Sequence, residues 1–322
     1  MTRNNRLARC RPLLGTYVEI TLQGDFTNAQ LIELSQRGFA AIEQIQQLMS
    51  FHSSESELTR INRYAHLEPQ PISALTSELL QQALQLSELS QGLFDVTIGS
   101  TLVQHRVLPN HGFYEPNHDF YPHNHDFYQH NHRLTMNEYA NWQAIQLQPD
   151  VIFFSQPLQI DLGGIAKGFA VDKAFDAIQH AADKLISETD KLTGETDNLT
   201  SEANSLKADI NICINAGGDL RMSHWQQQTL GIRHPKQPQQ LFPITLKNTA
   251  LATSAGYFLA DSHLTEKAGI YSPKTHTPVR DNRSYSVFAN SCMLADALTK
   301  VIALMKNPAP LLTALNAEAL II

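Results

Sequence analysis

Two stretches of this chain carry residues whose types and spacing could do chemistry on an anion. In DLGGIAKGFAVDKA, residues 161–174, an acid closes an extended stretch, paired glycines follow, and an amphipathic helix begins. Val171, Ala174, Phe175 and Ile178 fall at i, i+3, i+4 and i+7, one helical stripe, whereas residues 151–154 and 158–162 read as extended chain. Gly163 and Gly164 at the turn would let bare backbone approach a ligand, and the first N–H groups of the helix would face an anion. Asp161 and Lys167 flank that point with opposite charges. The same spacing also fits a tight strand-to-helix connection with a solvated Lys, and spacing leaves both readings open.

The second stretch is SCMLADALTKVIALM, residues 291–305. Leu294, Ala297, Leu298, Val301 and Met305 cluster on one side of a helix, and Asp296, Thr299 and Lys300 share the other at i, i+3 and i+4. That trio is either a solvated face with an Asp–Lys pair or a metal or phosphate station, with Asp296 as a hard oxygen ligand and Lys300 as a counter-charge. A third acid, Asp95 in GLFDVTIGSTLV, sits between Phe94 and Val96, and an acid inside an apolar run needs a partner or a ligand.

The elements that must position these groups are partly legible. Residues 17–22 alternate as a strand, 29–49 carry apolar residues at helical spacing, and a further helix spans about 76–89. The segment 49–62 predicts a loop opening a short helix, with Ser54 and Glu57 spaced as a capping box. After INICINAGGDLR, 210–221, a strand entering paired glycines and Asp219, strand-like stretches follow at 229–233, 242–246, 250–253, 269–272 and 284–290.

The 322 residues, 42% of them hydrophobic, are enough for a large core. A net charge of −7 without a basic stripe excludes a general nucleic-acid binder. Cys10, Cys213 and Cys292 show no paired spacing, which argues against a disulfide framework or CxxC metal site. The basic start has no apolar run, so a cytoplasmic protein is expected, or a periplasmic one if a leader is missing. Two segments read as surface insertions in a single domain over 1–322, at about 105–135 and 183–209. The first contains a seven-residue repeat with His111, His118, His123, His125, His130 and His132; such a tract can bind metal weakly, but no carboxylate or thiolate completes a ligand set. The second repeats Leu185, Leu192, Leu199 and Leu206 at intervals of seven, too narrow a stripe for a coiled coil, and reads as a mobile or partly helical excursion.

Taken together, RPLLGTYVEI, SELTRIN, GLFDVTIG, DLGGIAKGFAVDKA, INAGGDLR, LATSAGY and SCMLADALTK resemble the ApbE-type FAD:protein FMN transferases, in the same order and across nearly the whole chain. The resemblance implies an α+β fold, with mixed or antiparallel sheets and helices around a nucleotide groove. A doubly wound fold is disfavoured, since no GxGxxG opens a βαβ unit. It implies an enzyme that uses magnesium to move FMN from FAD to a Thr or Ser hydroxyl of a target protein, releasing AMP; targets would be subunits of membrane redox pumps or related flavoproteins. The alternative is a FAD-binding or FAD-hydrolysing relative without a protein acceptor. By the same resemblance Leu14, His52, Leu93, Phe94, Asp95, Asp161, Lys167 and Ile270 contact the flavin nucleotide, with Asn215, Ala216, Gly217 and Gly218 in a second turn near it. The carbonyl of Gly164 and the carboxylate of Asp296 would hold the metal, and Asp296 and Lys300 would serve catalysis.

The chain also departs from the family pattern. Lys300 stands where many relatives have a metal-ligating Thr, leaving Thr299 as the nearest hydroxyl. A charged ammonium cannot ligate magnesium. Either Thr299 or water serves the metal, or Lys300 supplies positive charge itself. The family block SHIIDPRTG appears as AGIYSPKTHT, with Gly269 in place of a His that is a candidate base and Ser272 in place of an Asp. His263, Tyr271 and His276 stand nearby, off the matched position.

Overall fold

The structure, a computed structural model, describes residues 4–112, 141–193, 208–237, 239–255 and 269–322, with side chains at 189–193 left aside. Most of the His-rich repeat, residues 194–207 of the second expected insertion, and His263 lie outside these. The chain opens with a hairpin of β1 (Asn4–Leu13) and β2 (Thr16–Asp25), then α1 (Asn28–Met49) and α2 (Glu57–Tyr64). Next come β3 (Gln70–Pro71), α3 (Ala74–Leu89), α4 (Gly99–Gln104), β4 (Ile145–Gln148), β5 (Val151–Phe154) and the long α5 (Ala166–Thr193). The second half holds β6 (Ile210–Ala216), β7 (Asp219–Met222), β8 (Thr229–Arg233), β9 (Leu241–Thr245), β10 (Ala250–Ala255) and β11 (Ser284–Ala289). It closes with α6 (Cys292–Leu304), α7 (Ala309–Ala314) and β12 (Glu318–Ile321).

Among the described residues, a seven-stranded sheet runs in the order β1-β2-β6-β7-β10-β11-β12 and every pairing is antiparallel. A small sheet β3-β5-β4 and the β8-β9 ribbon complete the strands. The fold is thus α+β, as expected, and every strand pairing among the described residues is antiparallel. On β2 the alternation Val18, Ile20, Leu22 is buried on one face beneath α1, and α5 packs beside α1 on the neighbouring β6. Gly38 of α1 permits this approach: a Cβ there would stand 2.7 Å from Ile178 and 2.9 Å from Ile20.

Several local expectations are corrected. The basic N-terminus forms the edge strand β1, which the sequence pattern did not announce. Arg9 and Arg11 hid it by breaking the apolar alternation; their guanidinium groups stack 5.7 and 4.6 Å from the Phe39 ring centroid and their stems cover α1. The cap of α2 is Ser56, which accepts the Thr59 N–H at 3.0 Å, rather than Ser54; Glu57 instead accepts from Ser73 at the start of α3. Residues 269–272 are no strand and make one isolated bridge, Tyr271 to Pro278. The expected second insertion is partly helical over its described start, as anticipated: α5 continues through Asp183 to Thr193, and Asp183 accepts the Ala208 N–H at 2.7 Å where the chain returns.

The helices α5 and α6 cap one another. The first N–H groups of α6, Cys292 and Met293, donate to Asp172 of α5 at 2.9 and 2.8 Å, while Leu294 donates to Ser291. In return Gly168, in the first turn of α5, donates to Asp296 of α6 at 3.2 Å. The crossing needs Gly168, because a Cβ there would stand 2.3 Å from the Cys292 carbonyl oxygen. Gly168→Ala is therefore expected to destabilise the protein by about 1–3 kcal/mol, although Ala is the better helix former at an unhindered position. Denaturant unfolding checks this; a neutral or stabilised variant would show that the helix pair can move apart freely.

Candidate active site

The segment 158–162 is extended without belonging to a sheet, and a side chain explains how. Buried Asn62 donates to the Ile160 carbonyl at 2.9 Å and accepts the Ile160 N–H at 2.8 Å, imitating a neighbouring strand. The Asp161 N–H donates to Val96 at 2.7 Å and Gly99 N–H to Gln159 at 3.2 Å, so the segment also runs alongside the loop after α3. These bonds fix the entry to the glycine turn. Asp161 then accepts the Gly163 N–H at 3.1 Å. Burial pushes its carboxyl up to about 6, against the opposing pull of the Gly163 N–H and the charge of Lys300.

Beyond the turn, four charged side chains converge from three elements. Lys167 on α5 is bonded to Asp219 at the start of β7 and lies 3.6 Å from Asp296 on α6. Lys300, one turn along α6, bonds the other oxygen of Asp296 and also its main-chain oxygen at 2.9 Å. Asp219 and Asp296 are 2% and 0% exposed, so each carboxylate depends on its ammonium partner. Burial acts on Lys167 to remove its charge, but Asp219 and Asp296 outweigh it and hold the ammonium charged. For Asp296 burial is likewise outweighed, by Lys167 and Lys300, and its carboxyl stays below the usual carboxylate range. Asp219 is pushed up by burial and by the negative Asp296.

This cluster borders a cavity of about 620 Å³. All eight residues expected on the flavin nucleotide line it: Leu14, His52, Leu93, Phe94, Asp95, Asp161, Lys167 and Ile270. Gly164 and Lys300 line it too, together with Ile45, Met49, Phe51 and Leu102. Leu14 reaches the wall from a turn in which it and Gly15 have φ of 55° and 71°, and its N–H donates to Gln46 of α1. Asp95 meets the need expected of a buried acid within the protein, accepting from Thr97 N–H and hydroxyl at 2.9 and 2.8 Å and from Trp142 N–H at 3.1 Å. Gly269 and Tyr271 border the cavity, whereas His276 bonds Thr101 at 2.7 Å and is not among the lining residues.

Asp296 and Thr299 stand behind the wall. Thr299 is 0% exposed, donates to the Asp296 main-chain oxygen at 2.6 Å and shares a 2.7 Å hydrogen bond with Ser254 of β10. The face of α6 that could have been solvated is buried. The anion facing the start of α5 is the protein's own Asp296, bound through Gly168, where the sequence suggested a ligand. The second glycine turn, 215–218, does not line the cavity; Gly217 and Gly218, with φ of 65° and 106°, close the β6–β7 hairpin that delivers Asp219 to Lys167. Asp219 was the residue sequence reasoning left without a role, although its position after paired glycines repeated the pattern at Asp161.

The model of the ApbE family matches residues 14–186 and 202–321. A FAD:protein FMN transferase of Vibrio cholerae serotype O1 is 25% identical over 275 residues, covering 82% of this chain and 71% of that protein. Two solved structures share the fold: the ApbE protein from Thermotoga maritima, with a TM-score of 0.73 and 21% identity over 98% of this chain and 94% of that one. The flavin transferase ApbE from Vibrio cholerae gives 0.68 and 19%, over 99% and 94%.

The raised Asp161 carboxyl yields a pH test. The folded state keeps a proton there that the unfolded chain releases near 3.8, so this contribution to stability is complete below 3.8 and lost as pH rises to about 6. Asp161→Asn is expected to raise stability at pH 8 by up to about 3 kcal/mol relative to the parent, and to leave it nearly unchanged at pH 4. Thermal melts at the two pH values decide; the same difference at both would exclude a buried-charge cost at Asp161.

Proposed function

The chain belongs to the ApbE family, and on that premise we propose that it is a flavin transferase, moving FMN from FAD to a Thr or Ser hydroxyl of a target protein with release of AMP. The observation that carries this reading is the convergence on one cavity of the eight positions that the resemblance assigns to the flavin nucleotide, drawn from segments as far apart in sequence as Leu14 and Ile270. Apolar walls from α1 and α4 suit a flat ring system, and Lys167 and Lys300 supply charge for a pyrophosphate. In the reaction the acceptor oxygen bonds to the FMN phosphorus. The bond from that phosphorus to the bridging oxygen breaks, and AMP leaves with the electron pair as the hydroxyl proton is released. Such a displacement asks the protein for positioning and charge neutralisation rather than covalent help. The resemblance points to a subunit of a membrane redox pump or a related flavoprotein as acceptor; among the described residues no helix is long and apolar enough to cross a membrane.

Magnesium, which the resemblance would add as a counter-charge to the phosphates, does not fit the donor set. Asp296 already accepts from Lys300 and Gly168 and lies 3.6 Å from the Lys167 ammonium, and the Thr299 hydroxyl is engaged with Ser254 and a main-chain oxygen. No group of three or more His, Cys, Asp or Glu side chains suited to a metal occurs among the described residues.

Gly269, which borders the cavity without a side chain where the resemblance places a candidate base, favours a second reading in which water replaces the protein hydroxyl. One assay separates the two. Protein, FAD and a Thr-containing acceptor peptide are incubated with and without magnesium, then peptide mass and AMP are measured. The expected result is FMN added to the peptide, with one AMP per adduct, and at least about a tenfold slower reaction for Lys167→Met. AMP released equally fast without peptide would favour hydrolysis. FAD bound with neither product would end the transferase reading.

A further inference from the structure

We propose that Lys300 is the built-in cation of this site, its ammonium taking the place beside Asp296 and over Gly164 that a divalent ion would fill, so that FAD binds without added metal. The inference rests on the reading of the cavity as a flavin dinucleotide site.

The geometry is that of a side chain laid across a would-be metal position. The Lys300 stem passes over the glycine turn, with its Cε 3.7 Å from where a Cβ on Gly164 would stand. Its ammonium then bonds both the carboxylate and the main-chain oxygen of Asp296. An ammonium has three donors, and these two bonds leave one. The Lys300 side chain is 19% exposed and lines the cavity, whereas the Asp296 side chain is 1% exposed. The remaining donor is therefore available to an anion in the cavity.

A divalent ion would meet poor conditions in the same place. Magnesium requires about six oxygen ligands in near-octahedral array. Here one Asp296 oxygen is bonded by Lys300, and the other faces the Gly168 N–H at 3.2 Å and Lys167 at 3.6 Å. Thr299, the hydroxyl nearest in sequence, is turned into the contact between α6 and β10. An ion could enter only by expelling an ammonium from a buried carboxylate and leaving both to find new partners. Lys300 instead links Asp296 to the cavity as a metal bridge would, using a charge held by the chain.

FAD titration followed by flavin fluorescence, in EDTA and in millimolar magnesium, tests this. The parent protein is expected to bind FAD with dissociation constants agreeing within about threefold in the two buffers. Lys300→Met, which keeps length and removes charge, is expected to bind at least about tenfold more weakly in EDTA, with a thermal melt showing that it folds. A parent protein that binds FAD in magnesium but not in EDTA would overturn the proposal and leave the flavin reading standing, as would Lys300→Met binding like the parent in EDTA. Absence of FAD binding in both buffers would overturn the flavin reading and this proposal together. The buffer comparison on the parent needs no variant, so a misfolded Lys300→Met does not blunt it.

Discussion

The buried carboxylate of Asp296 is the constraint around which the rest is arranged. A fully enclosed charge is tolerated only where other groups neutralise it, and Asp296 draws on two ammoniums and the start of a helix at once. To supply them, α5 must end its approach at Gly168, against the first turn of α6. That proximity in turn brings Asp172 onto the free N–H groups of Cys292 and Met293. The two helices therefore fix each other's rotation and depth with carboxylates, and neither acid can be moved without exposing the other's arrangement. β7 completes the lock from the sheet. Asp219 and Arg221, two residues apart and hence on one strand face, reach Lys167 and Asp172 of α5.

The consequence for the cavity is that its charged wall is rigid before any ligand arrives. Lys167 is anchored by Asp219 and Lys300 by Asp296, so an anion meets ammonium groups already oriented. Asp161 is different. It has no ammonium in direct contact: the N–H groups of Gly163 and Leu162 and the charge of Lys300 only partly oppose burial, which displaces its carboxyl towards neutrality. The acids around the cavity thus differ by their surroundings: Asp296 is held ionised by two lysines, whereas burial pushes Asp95, Asp219 and Asp161 upward, Asp161 to about 6.

Local pattern made the helices legible and the sheet only in part. The stripe from Val171 to Ile178 follows the 3.6-residue period because it packs on the core, and both helices stand where expected, although α6 is buried nearly all round and not on one face alone. β1 escaped notice because it is an edge strand whose buried side includes two arginines, covering Phe39 with stems that a hydropathy pattern scores as polar. The wall residues were reached through the order of seven short motifs, since nothing in the spacing of Leu14, His52 and Ile270 says that they meet. Asp219 shows the limit most clearly. The glycines before it announce a tight turn, but that the turn aims an acid at Lys167 depends on the β6–β7 register and on the depth of α5, neither of which is local.

Rotation about α6 explains how neighbouring residues come to separate tasks. Thr299 and Lys300 both follow Asp296 on one face, three and four positions on, and sequence spacing treats them as equivalent neighbours of the acid. They differ by about 100° around the helix axis. That angle turns Thr299 towards β10, where its hydroxyl meets Ser254 and is excluded from solvent, and turns Lys300 to the cavity. The short side chain cannot cross the helix face to compensate, while the lysine is long enough to fold back onto Asp296 and still border the open space. Which kind of group stands beside the acid at the cavity is thereby decided by the fourth position, and an ammonium there brings its charge on a stem that already occupies the room over Gly164.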